Sequence, residues 1–131
     1  MLQVHARVGV STIHGLGLFA TEFIPSGTTI MEFRIGFDIE IPESSLEMLS
    51  SPAQQQLLHY AEYVAAQRLF ILSGDDDRFT NHSDAPNTCR RDVDGQRYPV
   101  VYATRDILAG EEITCDYREV VMLGYQPENE P

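Results

Sequence analysis

The chain has 131 residues, enough for one domain with a modest hydrophobic core and too few for two ordinary domains. Its nine basic residues are all arginines, and against twenty Asp and Glu they leave a formal charge of −11. Such a chain has little material for the basic face that binding to phosphate backbones requires, so we expect no nucleic acid as a direct substrate. Acidity favours a basic polypeptide partner, although it also simply keeps a small protein soluble.

No run of eighteen apolar residues and no basic-then-apolar leader is visible in the sequence. We therefore expect no membrane span and no export signal, and a cytoplasmic location is the default expectation. Cys89 and Cys115 are too few for the disulfide framework of a small secreted domain. A single bridge between them is left open.

The first forty residues predict short strands joined by turns. Loose alternation favours a strand over residues 2–10, and two further strands are predicted over residues 28–33 and 35–41. A turn at Pro25 and Gly27 separates the first strand region from the others, because Pro fixes φ and Gly frees it.

Residues 15–20 read Gly-Leu-Gly-Leu-Phe-Ala and formally match the Gly-x-Gly-x-x-Ala fingerprint of dinucleotide-binding folds. That fingerprint requires a helix directly after the glycines, with its N-terminus facing the pyrophosphate. The turn at Pro25 comes too soon for such a helix, so we reject a Rossmann site. The glycines instead indicate a loop whose backbone approaches a ligand closely or takes a positive φ.

Residues 42–67 predict a helical insertion between strands. A short helix is expected within residues 42–51, and Ser51-Pro52 indicates the N-cap and first-turn proline of a second helix. The apolar face of this second helix is predicted to comprise Ala53, Leu57, Tyr60, Ala61 and Val64.

The second half of the chain again predicts strands. We expect one over residues 69–72, a hairpin of residues 89–93 and 99–104 around Asp94-Gly95, and a last strand over residues 112–117. The sequence thus predicts a mainly β fold.

Two segments of this half are predicted to be irregular. Residues 74–77, Gly-Asp-Asp-Asp, indicate a solvated turn, because an EF-hand calcium loop needs alternating ligands and a distant Glu. The tail at residues 126–131 is predicted to be flexible.

Residues 78–87, Arg-Phe-Thr-Asn-His-Ser-Asp-Ala-Pro-Asn, follow neither a strand period nor a helix period. One interpretation is an ordinary polar surface turn. Another is a glycosylation acceptor at Asn81-His82-Ser83, which would need a secreted chain. A hydrolase triad of His82, Ser83 and Asp84 fails, because triad members meet in space whereas sequence neighbours point apart.

A second block of residues favours a functional interpretation of residues 78–87. The run RFxNHSxxPN beginning at Arg78 is followed about thirty residues later by RDIxxGEEIxxDY beginning at Arg105. With the block at residues 15–20, these motifs resemble the signature of the SET domain, the protein-lysine methyltransferase family, over residues 5–118. The resemblance implies a SET-domain (β-clip-like) fold over residues 1–125, with short curved sheets and a knot-like crossing of the C-terminal segment under the Asn-His loop.

The resemblance also implies a reaction. We expect an S-adenosylmethionine-dependent protein-lysine N-methyltransferase that transfers a methyl group to the neutral ε-amine of a lysine on a basic protein or peptide. A catalytically silent SET-like module that binds a protein partner is the alternative, and methylation of a non-protein amine is a third hypothesis. The segment at residues 42–67 is where the family varies most and helps to recognise substrate.

Site residues follow from the same resemblance. Tyr117 corresponds to the catalytic Tyr of the Asp-Tyr motif, whose hydroxyl lies by the transferring methyl group and orients the amine. The residues expected to bind S-adenosylmethionine are Gly15, Leu16, Gly17, Asn81, His82 and Tyr117. Arg78, Phe79 and Glu112 are expected to hold the structure around them.

The lysine channel is expected to involve Cys115, Tyr125 and Phe70. Many members carry Phe or Tyr at the position of Cys115, so the smaller Cys predicts room for more than one methyl group. Other members bind zinc through a Cys at the position of Asp84 and a later Cys-rich segment; neither is present here, so we expect no metal. The channel would then be closed by Val120, Val121, Met122 and Tyr125, or by the partner of a homodimer.

Overall fold

Ten short strands in three small sheets make up most of the regular structure in the computed structural model, which describes residues 1–123. The strands are β1 (Ala6–Val10), β2 (Leu16–Ala20), β3 (Thr29–Met31), β4 (Ile39–Pro42), β5 (Glu62–Val64), β6 (Leu69–Leu72), β7 (Asn81–His82), β8 (Thr88–Arg91), β9 (Val100–Ala103) and β10 (Glu112–Cys115). An α-helix, α1, spans Ser51–Tyr60, and 3-10 helices span Glu43–Met48, Asp76–Phe79 and Tyr117–Glu119. The predicted mainly β fold is confirmed.

The ten strands form three separate sheets, which surround two hydrophobic cores. One sheet has the order β1-β2-β10-β7, a second has the order β3-β9-β8, and a third has the order β4-β6-β5. The first two sheets enclose the main core, which contains Leu18, Ala20, Ile24, Ile30, Ala103, Ile107 and Ile113. The region around the third sheet holds a smaller core of Leu57, Ala61 and Phe70, through which α1 packs.

The region of the predicted helical insertion contains one 3-10 helix, α1 and β5. The side chain of Ser50, one residue before the predicted N-cap, accepts a hydrogen bond from the Ala53 backbone N–H. The helix ends at Tyr60, so the prediction that Val64 lies on its apolar face is wrong. Val64 instead belongs to β5, where it pairs with Leu69 of β6.

Two further boundaries differ from the predictions. The expected strand over residues 35–41 begins only at Ile39, because Gly36 takes a φ of 85° and the preceding residues turn back on themselves. The loop expected at residues 15–20 is a strand from Leu16 onward, since its backbone pairs with β1 and with β10. The hairpin between β8 and β9 is confirmed, with Gly95 at a φ of 83° in the turn.

The C-terminal strand β10 lies between two parts of the chain that are far from it in sequence. It pairs antiparallel with β2 and parallel with β7, so Thr114 lies opposite Asn81 and Cys115 opposite His82. This arrangement joins the motif at residues 15–20, the Asn-His motif and the Asp-Tyr motif in a single sheet.

Asn87 holds β10 in place through its buried side-chain amide, which is only 2% exposed. Its Nδ2 donates to the Glu112 carbonyl at 2.8 Å, and its Oδ1 accepts from the Thr114 backbone N–H at 2.9 Å. A side chain thereby supplies hydrogen bonds that a neighbouring strand would otherwise provide.

Residues 1–123 contain no helix that is both long and apolar enough to cross a membrane. Tyr125 and the predicted flexible tail at residues 126–131 lie outside the described part of the chain.

We expect Asn87→Ala to lower the free energy of unfolding by about 3 kcal/mol, because it leaves a buried carbonyl and a buried N–H of β10 without partners. Urea unfolding at neutral pH measures the change. Gln55→Ala, which removes an exposed amide from α1, is the control and should change stability by less than about 0.5 kcal/mol. Equal stability of the two variants would show that Asn87 does not hold β10.

Candidate functional site

The candidate site lies where β7 and β10 meet. Thr114 pairs with Asn81 and Cys115 with His82, and the chain then leaves the sheet at Asp116 and Tyr117. The sequence predicts that Tyr117 ends the last strand, but in the structure Tyr117 begins a 3-10 helix. Because β10 also pairs with β2, the residues that follow Gly15 are brought to the same sheet.

Asn81 connects three segments through one amide nitrogen. Its Nδ2 donates to the carbonyls of His14 and Leu16 and to Oε2 of Glu112, each at 3.0 Å. The other oxygen of Glu112 accepts from the Ser11 hydroxyl at 2.7 Å. The amide and the carboxylate together hold the Gly-rich segment against β7 and β10, so its backbone conformation depends on Asn81.

The two glycines of that segment serve different purposes. Gly15 has a φ of 46°, in the left-handed region that favours glycine, and a Cβ placed there would meet nothing within 4 Å. A Cβ on Gly17 would lie 2.5 Å from Oε2 of Glu112. Gly15 thus leaves accessible backbone, whereas Gly17 makes room for the carboxylate that binds Asn81.

His82 is oriented by hydrogen bonds at both ring nitrogens. Its Nδ1 accepts from the Tyr117 backbone N–H at 3.0 Å, and its Nε2 lies 3.0 Å from Oδ1 of Asp84. Since Nδ1 is an acceptor, the proton is on Nε2, which donates to Asp84. In the sequence, Asp84 was notable because a zinc-binding Cys is absent at its position. In the structure, its carboxylate orients the His82 ring.

Tyr117 is held from its backbone and from its hydroxyl. The hydroxyl donates to the Thr80 carbonyl at 2.8 Å, and its ring lies 5.5 Å from the His82 ring. Asp116 caps the 3-10 helix by accepting from the Arg118 backbone N–H, and hydrogen bonds from Arg118 hold the pKa of Asp116 below its usual range. The phenol therefore has a defined position at the edge of the site.

A cavity of about 110 Å³ opens beside Tyr117. It is large enough for several water-sized groups, and much of its wall is apolar or aromatic. The aromatic residues in the wall are Phe33, Tyr60, Tyr98 and Tyr117, and the charged ones are Asp38, Glu62, Asp77, Arg78 and Arg90. Such a mixture of apolar surface with a few polar groups is typical of a pocket for a small group or side chain.

The three residues expected to line the lysine channel have different positions. Cys115 lines the cavity, and burial followed by the negative charge of Asp77 raises the pKa of its thiol to about 12. The thiol is therefore uncharged and unreactive at neutral pH. Tyr125 lies outside the described residues.

Phe70 does not line the cavity. It is 1% exposed and packs in the smaller core against Leu57 and Ala61, because successive residues of a strand face opposite sides. Its neighbour Ile71 is the β6 residue in the cavity wall. The prediction that Phe70 lines the lysine channel is therefore wrong. Of the C-terminal residues expected to close the channel, Val120 and Met122 line the cavity, whereas Val121 bonds through its carbonyl to the Tyr63 N–H.

Asp77 was expected in a solvated turn, and the structure contradicts this. Its side chain lines the cavity, where Oδ2 accepts from the Ser73 hydroxyl at 3.2 Å. Burial is the main reason that the pKa of the carboxyl rises from 3.8 to about 6, and Asp75 and Asp38 raise it further. The N-terminal ammonium and the Ser73 hydroxyl oppose this rise in pKa.

Sequence reasoning gave no site role to Asp77, Thr80 or Asn87. Asn87 belonged to the quoted motif, and its place next to Pro86 was the signal that could have been followed. The sequence contains no such signal for Asp77, because it is one of three consecutive aspartates. In the structure, the 3-10 helix exposes Asp76 to solvent and directs Asp77 inward.

No group of three or more His, Cys, Asp and Glu within residues 1–123 is arranged to hold a metal ion. Cys89 and Cys115 are both free thiols, so the single disulfide left open by the sequence does not form in this structure.

Comparison with known proteins gives consistent matches. Residues 15–118 match the family described as the SET domain. The chain is 34% identical over 128 residues to a histone-lysine N-methyltransferase of Schizosaccharomyces pombe named as H3 lysine-4 specific, with 88% of this chain covered. It is 32% identical over 125 residues to the human histone-lysine N-methyltransferase 2B, with 85% of this chain covered. The chain spans only 13% and 4% of the lengths of these two relatives.

A solved structure supports the fold. A humanized mutant of the Chaetomium thermophilum Polycomb Repressive Complex 2 superposes with a TM-score of 0.67 at 22% identity, covering 92% of this chain and 16% of that chain.

The position of Asp77 leads to a testable effect of pH on stability. Because the folded-state pKa is raised, the fold is penalised once the carboxyl is charged: the penalty is absent below pH 3.8 and complete above about pH 6. We expect Asp77→Asn to stabilise the protein at pH 7.5 by up to about 3 kcal/mol, and by less at pH 4.5.

Urea unfolding at both pH values measures this difference, and Asp76→Asn is the matched control because Asp76 is exposed. A destabilised Asp77→Asn protein at pH 7.5, or a gain that does not change with pH, would contradict the assignment.

Proposed function

Because this chain belongs to the SET-domain family, we propose that it is an S-adenosylmethionine-dependent protein-lysine N-methyltransferase. The observation that carries the proposal is the meeting of three motifs in one sheet, where β10 pairs with both β2 and β7. The proposal is supported by the hydrogen bonds that join Asn81 to the Gly-rich segment and by the position of Tyr117 in the wall of an aromatic cavity.

The residues on the cofactor side fit S-adenosylmethionine. Open space around Gly15 leaves the backbone of its segment accessible to a ligand, and Asn81 fixes that backbone through the carbonyls of His14 and Leu16. His82 has a fixed ring position and a defined tautomer. S-adenosylmethionine, when bound, supplies an electrophilic methyl group on a positively charged sulfur.

The chain's own residues would align and desolvate the amine. Tyr117 presents its hydroxyl oxygen from a fixed position, since the proton of that hydroxyl is donated to the Thr80 carbonyl. An oxygen in this state accepts a hydrogen bond and can orient an amine N–H. Apolar and aromatic surface in the cavity wall would desolvate a bound lysine, whose ordinary pKa is near 10.4, and desolvation favours its neutral form.

The substrate we propose is a lysine on a basic protein. The formal charge of −11 attracts such a partner over distances of about a Debye length. Relatives named as histone-lysine N-methyltransferases make histone H3 the first substrate to test. Because Cys115 in the cavity wall is small, we propose that the site accepts more than one methyl group, and mass spectrometry that finds only monomethyl product after exhaustive reaction would count against this part.

We expect Tyr117→Phe to slow methyl transfer by about a hundredfold, because the amine loses the oxygen that orients it toward the methyl group. The assay is mass spectrometry of histone H3 after incubation with S-adenosylmethionine. The control is Tyr102→Phe, a change on β9 at a residue that does not line the cavity.

Undiminished transfer by Tyr117→Phe would contradict the role of the hydroxyl. A wild-type protein that binds S-adenosylmethionine but methylates no basic protein would favour the partner-binding module over an enzyme.

A further inference from the structure

Asp77 is a carboxylate in the cavity wall for which the methyl-transfer chemistry described above has no use. It lines the same cavity as Cys115, Thr80 and Tyr117. Its negative charge is close enough to Cys115 to be the second largest cause of the raised pKa of that thiol. The space that the small Cys115 side chain leaves is therefore bordered by a carboxylate.

The other two carboxylates of the cavity already have cationic partners. Glu62 makes a two-pronged ion pair with Arg90, at 3.0 and 3.2 Å. Asp38 binds the amine of Met1 at 2.9 Å and also accepts two backbone N–H groups. Among residues 1–123, the Asp77 side chain accepts hydrogen bonds only from the hydroxyls of Ser73 and Thr80 and makes no ion pair within 4 Å, so the Met1 ammonium lowers its pKa only from a greater distance.

Asp77 is also linked to the position of the catalytic tyrosine. The Thr80 hydroxyl donates to the Asp77 carbonyl at 2.8 Å and lies 3.5 Å from its Oδ1. The Thr80 carbonyl accepts from the Tyr117 hydroxyl at 2.8 Å. Thr80 thus links Asp77 to Tyr117 through hydrogen bonds, so a group that binds next to Tyr117 comes close to Asp77.

We propose that Asp77 binds the amine of the target lysine inside the cavity and determines the preference of the site for an amino group. This inference rests on the proposed function and names a residue that would recognise its substrate. An incoming ammonium gives Asp77 the direct ion-pair partner that it lacks in the free protein, where the Met1 ammonium acts on it only from a distance, and both partners are then desolvated together. The ammonium releases its proton to solvent before methyl transfer, and the carboxylate then accepts a hydrogen bond from the neutral amine, so the nitrogen stays bound.

Protonation of Asp77 should abolish this recognition. A neutral carboxyl offers an ammonium no opposite charge, and its pKa of about 6 places the change within an accessible range. The titratable and charged groups that face it are the Met1 amine, Asp38, Asp75, Cys115, Arg78, Arg90 and Glu62.

Isothermal titration calorimetry with two peptides tests the inference. The first is a histone H3 tail peptide with one lysine, and the second carries norleucine, which has an uncharged side chain without the amine, at the same position. Both are titrated into protein saturated with S-adenosylhomocysteine, so that no methyl group can be transferred. The proteins are the wild type, Asp77→Asn and the control Asp76→Asn, each with its folding verified by thermal unfolding.

We expect Asp77→Asn to shift the ratio of the two dissociation constants about tenfold in favour of norleucine, because a charged hydrogen bond to lysine is lost. Asp76→Asn should keep the wild-type ratio. The wild type at pH 5.0 should resemble Asp77→Asn at pH 7.5, which tests the proposal even if the variant is unstable.

An unchanged ratio in Asp77→Asn, or a wild-type ratio that is the same at pH 7.5 and pH 5.0, would overturn the proposal. So would a wild type that binds neither peptide. The outcomes for the ratio concern Asp77 alone, since failure of the proposed function is a separate result, the absence of methyl transfer from S-adenosylmethionine to histone H3 by the wild type.

Discussion

The pairing of β10 with both β2 and β7 is the constraint on which the rest of the structure depends. A parallel strand pair cannot be closed by a tight turn, and β7 and β10 are joined by a long connection that contains β8 and β9. Two asparagines make the arrangement specific: Asn87 supplies hydrogen bonds to β10, and Asn81 binds the Gly-rich segment together with Glu112. Asn81, which is proposed to bind the cofactor, is therefore also one of the residues that hold the sheet together.

Local patterns in the sequence were sufficient for the elements that depend on neighbouring residues. The hairpin around Asp94-Gly95 was predicted because its turn residues dictate the backbone conformation, and α1 was predicted from Pro52 and an apolar face. The boundaries at Gly36 and Val64 were wrong because tertiary pairing and a single positive φ decided them. No local pattern indicates that β10 pairs with β7; motif resemblance alone supplied that expectation.

In the candidate site, too, some residue positions were predictable from the sequence and others were not. The motifs predicted that Tyr117, Asn81, His82 and the glycines lie close together. Phe70 was assigned to the channel, but its side chain faces the smaller core. The inward position of Asp77 depends on the 3-10 helix that precedes Thr80, and sequence periodicity does not register so short an element. A desolvated carboxylate without a direct ion pair lowers the stability of the fold at neutral pH, and such costs are typical of functional positions.

The most direct measurement is a calorimetric titration with S-adenosylmethionine, performed on the wild type and on Asn81→Ala with its folding verified. We expect the wild type to bind with one site per chain, and Asn81→Ala to bind at least about tenfold more weakly, because the Gly-rich segment loses two hydrogen bonds. Folded wild-type protein that does not bind S-adenosylmethionine would contradict the claim that these distant motifs form one cofactor site. Equal affinity of Asn81→Ala would show that Asn81 does not shape it.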